Sequence, residues 1–223
     1  MKNWLKLQLE TLEILSHSGL TEGFYLVGGI ALAFRYQHRI SKNLAFFSLP
    51  EFADRYFPHD ELWSKLSSLG EILDYRKGTV TGMVNGVKVS YFSYRYPLLQ
   101  PLLTLEELPG VKMASDEDIA VAKFIAVAQR GEKKDFYNLW FLMRKRGWDL
   151  KYLFCLCTRK YNLKEENIAF LLKSFTFFED AEGQEIELPE GGVLDKETWE
   201  DIKEFFRKEV KRLTLEDHPE VCG

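Results

Sequence analysis

The segment 25–48 holds the residues with the clearest chemical pattern. An apolar strand leads into Gly28-Gly29, a short helix follows, and then come His38, Arg39 and Ser41 before a second apolar strand. Glycines let the backbone approach a phosphate closely, and the start of a helix favours an anion. Arginine adds a charged, forked phosphate donor. The segment therefore predicts contact with a phosphate or nucleotide. There are alternatives without a ligand: the glycines could serve only a tight turn, and His38, Arg39 and Ser41 could belong to an ordinary surface loop.

This order of elements resembles the nucleotidyltransferase superfamily, in the form found in the AbiEii toxin family. In that family the strand–Gly-Gly–helix unit holds the triphosphate, and the next strand carries two aspartates, one residue apart, that hold metal ions. On this sequence those two positions are Asn43 and Ala45. The resemblance extends over roughly residues 10–210, and it implies the family's fold together with an altered metal site.

The chemistry of the family explains why the two replacements matter. Nucleotidyl transfer displaces pyrophosphate from a nucleoside triphosphate, and Mg²⁺ held by carboxylates neutralises the developing charge. Residues at positions i and i+2 of a strand point to the same face, so two acids there reach one metal pair. Asn43 offers a neutral amide oxygen and Ala45 offers no ligand. We therefore expect no metal site and no cofactor, with Mg²⁺ needed only if the protein is active.

Three further positions depart from the family pattern. Ile30 stands where a Ser or Thr usually follows the glycines, and Ser90 stands where the third acid is expected. A Lys-Asp-x-x-Asp segment keeps its first two residues as Lys134 and Asp135, but its last acid has become Asn138. Four of the five departures remove an acid, so Asp135 is the acid of the pattern that survives.

Basic residues of the pattern survive better than its acids. Lys123 and Arg130 lie seven residues apart and share one face of a continuous helix. The resemblance places them, with Lys134, near the triphosphate or the incoming substrate, which predicts an anion-binding site that works without metal. The alternative is a solvated helix surface. Asp135 could orient Lys123 or act as a base, or it could form a structural ion pair in the helical part of the chain.

Composition limits the class of protein. The 223 residues are 46% apolar and 14% aromatic, enough for one core plus a small lobe, and the net charge of −4 does not favour general nucleic-acid affinity. No apolar run is long enough to span a bilayer, and the N-terminus does not read as a signal peptide. Three cysteines, an odd number, favour free thiols and a cytoplasmic location.

The hydrophobic patterns predict an α/β half followed by a helical half. The first half reads as helix 3–18, strand 24–27, helix 29–36, strand 43–47, helix 58–69 and strands 71–76, 79–84 and 87–93. Asn85-Gly86 is a type I′ hairpin signal between the last two strands. The second half reads as helices 116–130, 133–146, 149–160, 165–173 and 196–212. We predict a mixed-sheet, polymerase beta-like core over 1–110 and a packed helical lobe over 111–223.

Three functions fit these observations. The first is a catalytically degenerate protein of nucleotidyltransferase fold that binds a nucleotide, an RNA or a protein partner such as an antitoxin. The second is an active, metal-dependent enzyme that transfers a nucleotide from an NTP to RNA, protein or a small acceptor, with displaced acids such as Asp54 or Asp74. The third is a structural or assembly protein with a closed cleft. The sequence leaves transfer and binding both open, and it predicts neither a membrane partner nor an oligomeric state.

Overall fold

The computed structural model describes residues 3–53, 57–163 and 168–216. The chain divides into two compact units, Met1–Ser115 and Asp116–Gly223. Residue 110, after which the sequence places the division, lies inside a strand of the first unit.

The first unit is built on a seven-stranded mixed sheet. In chain order its strands are β1 (Phe24–Leu26), β2 (Leu44–Ser48), β3 (Gly70–Arg76), β4 (Thr79–Val84), β5 (Val87–Phe92), β6 (Leu103–Leu105) and β7 (Leu108–Met113). Its helices are α1 (Lys6–His17), which a 3-10 turn (Asn3–Leu5) precedes, α2 (Gly28–Tyr36), α3 (Pro50–Ala53) and α4 (His59–Leu69). The spatial order is β3-β4-β5-β2-β1-β7-β6. Strands β2 and β5 are parallel, as are β1 and β7, and the remaining neighbours are antiparallel.

Local sequence signals account for most of this sheet. Both residues of the Asn85-Gly86 turn have positive φ, at 50° and 73°, which a type I′ turn requires. The strands β3, β4 and β5 therefore lie where the sequence predicts them. Strands β6 and β7 were not predicted. Pro109 and Gly110 disfavour a strand, but β7 forms because it pairs with β1, where the Ala114 N–H donates to the Leu26 carbonyl at 2.9 Å.

One face of the sheet carries the core of the first unit. Helices α1, α2 and α4 contact the strands. Alternation along β2 buries Leu44 and Phe46 completely, while Ala45 between them is half-buried. On β5, Tyr91 is also fully buried, and its ring stacks on Phe46 with centroids 5.0 Å apart. Each such side chain contributes about 1.5–3 kcal/mol of hydrophobic stabilisation. The same alternation sends Ala45 and Ser90 to the opposite face.

The second unit is helical. It contains α5 (Asp116–Arg130), α6 (Lys133–Arg146), α7 (Leu150–Tyr161), α8 (Ile168–Ser174), a 3-10 helix (Glu179–Ala181) and α9 (Lys196–Glu216). Gly147, with φ 68°, ends α6, and the Asp149 carboxylate caps α7 by accepting from the Tyr152 N–H at 2.7 Å. These breaks are the short ones that the sequence predicts. The first residues of the predicted helix 165–173 lie outside the described residues.

Aromatic side chains fill the core of the second unit. Four phenylalanines from four helices or their ends are fully buried: Phe124, Phe136, Phe175 and Phe206. Their rings contact one another, for example at 4.6 Å between the centroids of the first and third. Within the described part of the chain, no helix has the length and apolar content needed to cross a membrane.

Cys157 matches the expectation of a free thiol. It is buried, and burial raises its pKa well above the ordinary value.

Candidate functional site

The turn between β1 and α2 is the first part of the site. The strand ends at Leu26 and the helix begins at Gly28, whose φ of 72° favours glycine. The Val27 N–H donates to the Ala45 carbonyl at 2.9 Å, which fixes the turn beside the start of β2. Ile30 is 1% exposed and belongs to the core. Its side chain therefore does not fill the turn. A protein with a closed cleft would need a side chain to fill it.

A buried guanidinium explains the second glycine. A Cβ atom added to Gly29 would lie 2.0 Å from Nη2 of Arg39, 2.9 Å from its Cζ and 3.2 Å from Oγ of Ser41. Arg39 is 8% exposed, and its Nη1 donates to the Ile40 carbonyl at 2.8 Å. The structure thus brings three residues of the predicted phosphate motif together. His38, beside them in the chain, is equally buried.

The stretch of sequence around this turn is rich in basic residues. Residues 23–50 contain no Asp or Glu, but they contain Arg35, Arg39, Lys42 and His38. Among the described residues no side chain caps the start of α2, and its first turn carries no acid. A cation beside a helix N-terminus is electrostatically unfavourable, and an anion placed between them is favourable. Sequence reasoning that compared single positions missed this acid-free stretch, although counting charges in a window would have found it.

The positions that the resemblance assigns to metal ligands also come together. Ala45 pairs with Ser90 in the parallel register of β2 and β5, and exposed Asn43 immediately precedes β2. Thr81 pairs with Ser90 from the other side and donates a 3.1 Å hydrogen bond to its hydroxyl. This row offers a methyl group, hydroxyls and one amide, whereas Mg²⁺ prefers carboxylates. The residues do not fit a two-metal centre.

Displaced acids do not compensate on the described part of the chain. Asp74 pairs with Thr81 in the β3–β4 register and forms an ion pair with Arg76 at 3.0 Å. Two strand spacings separate Asp74 from Ser90, which is about 10 Å, so the two do not share a metal. No group of three or more His, Cys, Asp or Glu residues within the described ranges could hold a metal ion. Asp54 lies outside those ranges.

The surviving acid of the pattern lies in the second unit as the centre of a charge network. Lys123 Nζ lies 2.6 Å from Oδ1 of Asp135, while Arg130 donates from Nε to Oδ2 at 2.7 Å and from Nη2 to Oδ1 at 3.0 Å. Asp135 is fully buried. Burial alone would raise the pKa of this carboxyl, but Lys123 and Arg130 outweigh it and lower the pKa. The geometry supports a structural ion pair.

Other basic residues of the second unit also contact acids. Lys134 lies 2.5 Å from Glu132, and Arg146 lies 2.5 Å from buried Asp116. Asn138, the last position of the Lys-Asp-x-x-Asp segment, is fully buried.

A buried ion pair joins α5 to α7. Lys160 pairs with Asp118, and their side chains are 1% and 3% exposed. Burial lowers the pKa of Lys160, and the hydrogen bond to Asp118 opposes that shift. The sequence analysis did not identify this pair. Its signal would have been a charged residue on the apolar face of each helix, Asp118 on α5 and Lys160 on α7.

Known proteins resemble this chain in sequence and in fold. No protein-family model matches it. An uncharacterized protein of Aquifex aeolicus, aq_aa25, is 42% identical over 212 residues, which are 95% of this chain and 98% of that protein.

Two solved structures share the fold. The nucleotidyltransferase toxin MenT4 of Mycobacterium tuberculosis superposes with a TM-score of 0.61 at 14% identity, over 96% of this chain and 85% of that one. JHP933 of Helicobacter pylori superposes with a TM-score of 0.51 at 16% identity, over 95% of both chains. These likenesses confirm the predicted fold, an α/β nucleotidyltransferase-like mixed sheet followed by helices. The chain therefore has the nucleotidyltransferase fold and belongs to the family of the Aquifex aeolicus protein aq_aa25.

Proposed function

We propose that this protein uses a nucleotidyltransferase fold to bind a nucleotide through its phosphates without a bound metal, and that it does not transfer nucleotides. The observation that carries the proposal is the guanidinium of Arg39 against Gly29, in a stretch of chain that contains no acid. The proposal assigns Gly28, Gly29, Arg39 and Ser41 to phosphate contact, with His38 beside them.

The sign of the charge in this stretch of sequence is the reason to expect phosphate binding without a metal. A site with carboxylates is negative and needs Mg²⁺ between itself and a negative triphosphate. Ala45 and Ser90 remove that negative charge, while Arg39 and Lys42 make the stretch positive. A positive site takes a phosphate directly, because a guanidinium forms two parallel hydrogen bonds to phosphate oxygens.

The second unit supplies a further set of candidate residues. The side chains of Arg130 and Lys134 are 49% and 48% exposed, so both can contact a phosphate while they keep their carboxylate partners. Lys123 is 11% exposed and held on Asp135, so it is less available to a phosphate than Arg130 and Lys134.

A nucleotide suits the chain better than a long RNA, because the net charge of −4 opposes the phosphate backbone of a polynucleotide. The likeness to the MenT4 toxin and the AbiEii resemblance support a protein partner of the antitoxin kind as a further part of the proposal.

Calorimetric titration with ATP, GTP, CTP and UTP in EDTA tests the proposal. We expect at least one nucleotide to bind the wild type, and Arg39→Met to weaken that binding at least tenfold. Arg35→Met is the matched control, since it removes the same charge from the same stretch at a side chain whose Nε donates to the Ala31 carbonyl at 3.3 Å.

Two results would overturn the proposal. One is a wild type that binds no nucleotide in EDTA. The other is equal weakening by Arg39→Met and Arg35→Met. Binding that appears only with Mg²⁺ would favour the active transferase instead.

A further inference from the structure

We infer that Gln8 on α1 is a positioning residue that holds the loop 37–43 in its anion-binding arrangement; this inference rests on the proposed function. Gln8 is 4% exposed, and its Nε2 donates to the Lys42 carbonyl at 3.3 Å across 34 residues of sequence. Lys42 lies in the loop that carries Arg39 and Ser41. The bond therefore joins α1 to the residues that face the Gly28-Gly29 turn.

A glutamine at this buried position is explained by its hydrogen bond and not by packing. Oε1 of Gln8 is buried and finds no hydrogen-bond partner among the described residues. A buried amide with one half unsatisfied is destabilising compared with an apolar side chain of equal length. A residue that served packing alone would be Leu or Met. The amide is explained by its Nε2 bond, which sets where the loop lies.

Thr11, one turn further along α1, shows what a purely structural polar residue looks like on the same helix face. It is fully buried and donates to the Leu7 carbonyl at 2.7 Å. Its hydroxyl accepts from Nδ2 of Asn85 at 3.4 Å, so it contacts the β4–β5 turn and not the loop 37–43. Both of its hydrogen-bonding roles are filled, unlike those of Gln8.

Loss of the Gln8 bond should act on the ligand through Arg39. The loop carries the guanidinium, which lies so close to Gly29 that a Cβ added there would be 2.0 Å from Nη2. A loop released at Lys42 would sample other positions, and the phosphate donors would no longer be pre-organised.

The test compares Gln8→Met with Thr11→Val. We measure ATP affinity in EDTA by calorimetry, thermal stability by melting, and amide hydrogen exchange over residues 38–43. For Gln8→Met we expect unchanged or higher stability, a several-fold loss of affinity and faster exchange in the loop. For Thr11→Val we expect lower stability with affinity and loop exchange unchanged. If Gln8 had a merely structural role, its loss would lower stability. Weaker binding by a variant of unchanged stability therefore indicates a positioning role.

Two outcomes overturn the inference. Gln8→Met could lower stability while its affinity and loop exchange stay at the wild-type values, or the two variants could lose affinity equally. If the wild type binds none of ATP, GTP, CTP and UTP, the proposed function fails by itself. Loop exchange then decides the inference alone: an unchanged rate in Gln8→Met contradicts it, and a faster rate supports it.

Discussion

The basic residues of the two units lie in different surroundings. In the second unit Lys123 and Arg130 converge on the fully buried Asp135, and Lys160 pairs with Asp118. In the first unit Arg39 lies against a glycine at the start of a helix, in a stretch with no acidic residue. The resemblance assigns basic residues of both units to one function, whereas Lys123, Arg130 and Lys160 are each held by a carboxylate of their own unit.

The difference teaches where an anion would be most strongly attracted. A cation paired with a buried carboxylate has spent much of its attraction on that partner, and breaking the pair leaves an uncompensated charge. A guanidinium beside a helix N-terminus adds its field to that of the helix. We therefore expect substitutions in the buried ion pairs of the second unit to affect chiefly folding, and substitutions at the turn of the first unit to affect chiefly binding.

The largest expected effect is on stability, from Asp135→Asn. This change leaves Lys123, 11% exposed, without its full countercharge, and removal of one partner of a buried pair costs about 3–5 kcal/mol. Urea unfolding at neutral pH measures it. Glu132→Gln is the control, because its partners Arg130 and Lys134 are half-exposed and its loss should cost about 1 kcal/mol or less. Equal effects of the two variants would contradict the contrast.

The next effect is on binding, from Gly29→Ala. The added Cβ would meet Arg39 Nη2 at 2.0 Å and push the guanidinium away from the turn. We expect ATP affinity in EDTA to fall about tenfold or more. Gly28→Ala is the comparison, because its φ of 72° makes alanine strained at about 1–2 kcal/mol while nothing lies within 4 Å of the new atom. Weaker binding in Gly28→Ala than in Gly29→Ala would show that backbone strain, not Arg39, controls the site.

Restoring the three acids should allow the first unit to bind Mg²⁺. The triple change Asn43→Asp, Ala45→Asp and Ser90→Asp puts three carboxylates where the resemblance expects them. We expect lower thermal stability without metal, because like charges crowd at the β2–β5 pair. Mg²⁺ should raise the melting temperature of the triple variant and leave that of the wild type unchanged. If Mg²⁺ has no effect on the triple variant, those positions are not the metal positions.

The smallest predicted effect is a dependence of stability on pH in the acid range. The lowered pKa of Asp135 means that the ionised carboxylate stabilises the fold. That contribution is complete above the unfolded pKa of about 3.9, and it is lost as pH falls through the folded value below it. The destabilisation caused by Asp135→Asn should therefore shrink as unfolding is measured from neutral pH to about pH 3 and below. A pH-independent difference would mean that packing, not charge, is what the variant lost.

Sequence reasoning reached the elements that local signals specify and missed those that depend on partners. The Asn85-Gly86 turn and the helix breaks near Gly147 follow from backbone rules that need no tertiary information. Strand β7 depends on pairing with β1, which overrides Pro109 and Gly110. At the site, spacing suggested Gly29, Arg39 and Ser41 as one group. It could not show that a guanidinium fills the space of a Cβ, nor that Gln8 reaches the loop from α1.

Calorimetric titration of ATP into the wild-type protein, first in EDTA and then in excess Mg²⁺, tests the central claim most directly. A positive site without carboxylates should prefer the more highly charged free nucleotide, so we predict that ATP binds in EDTA and binds no more tightly with Mg²⁺. Binding that appears or tightens markedly only when Mg²⁺ is added would contradict the account.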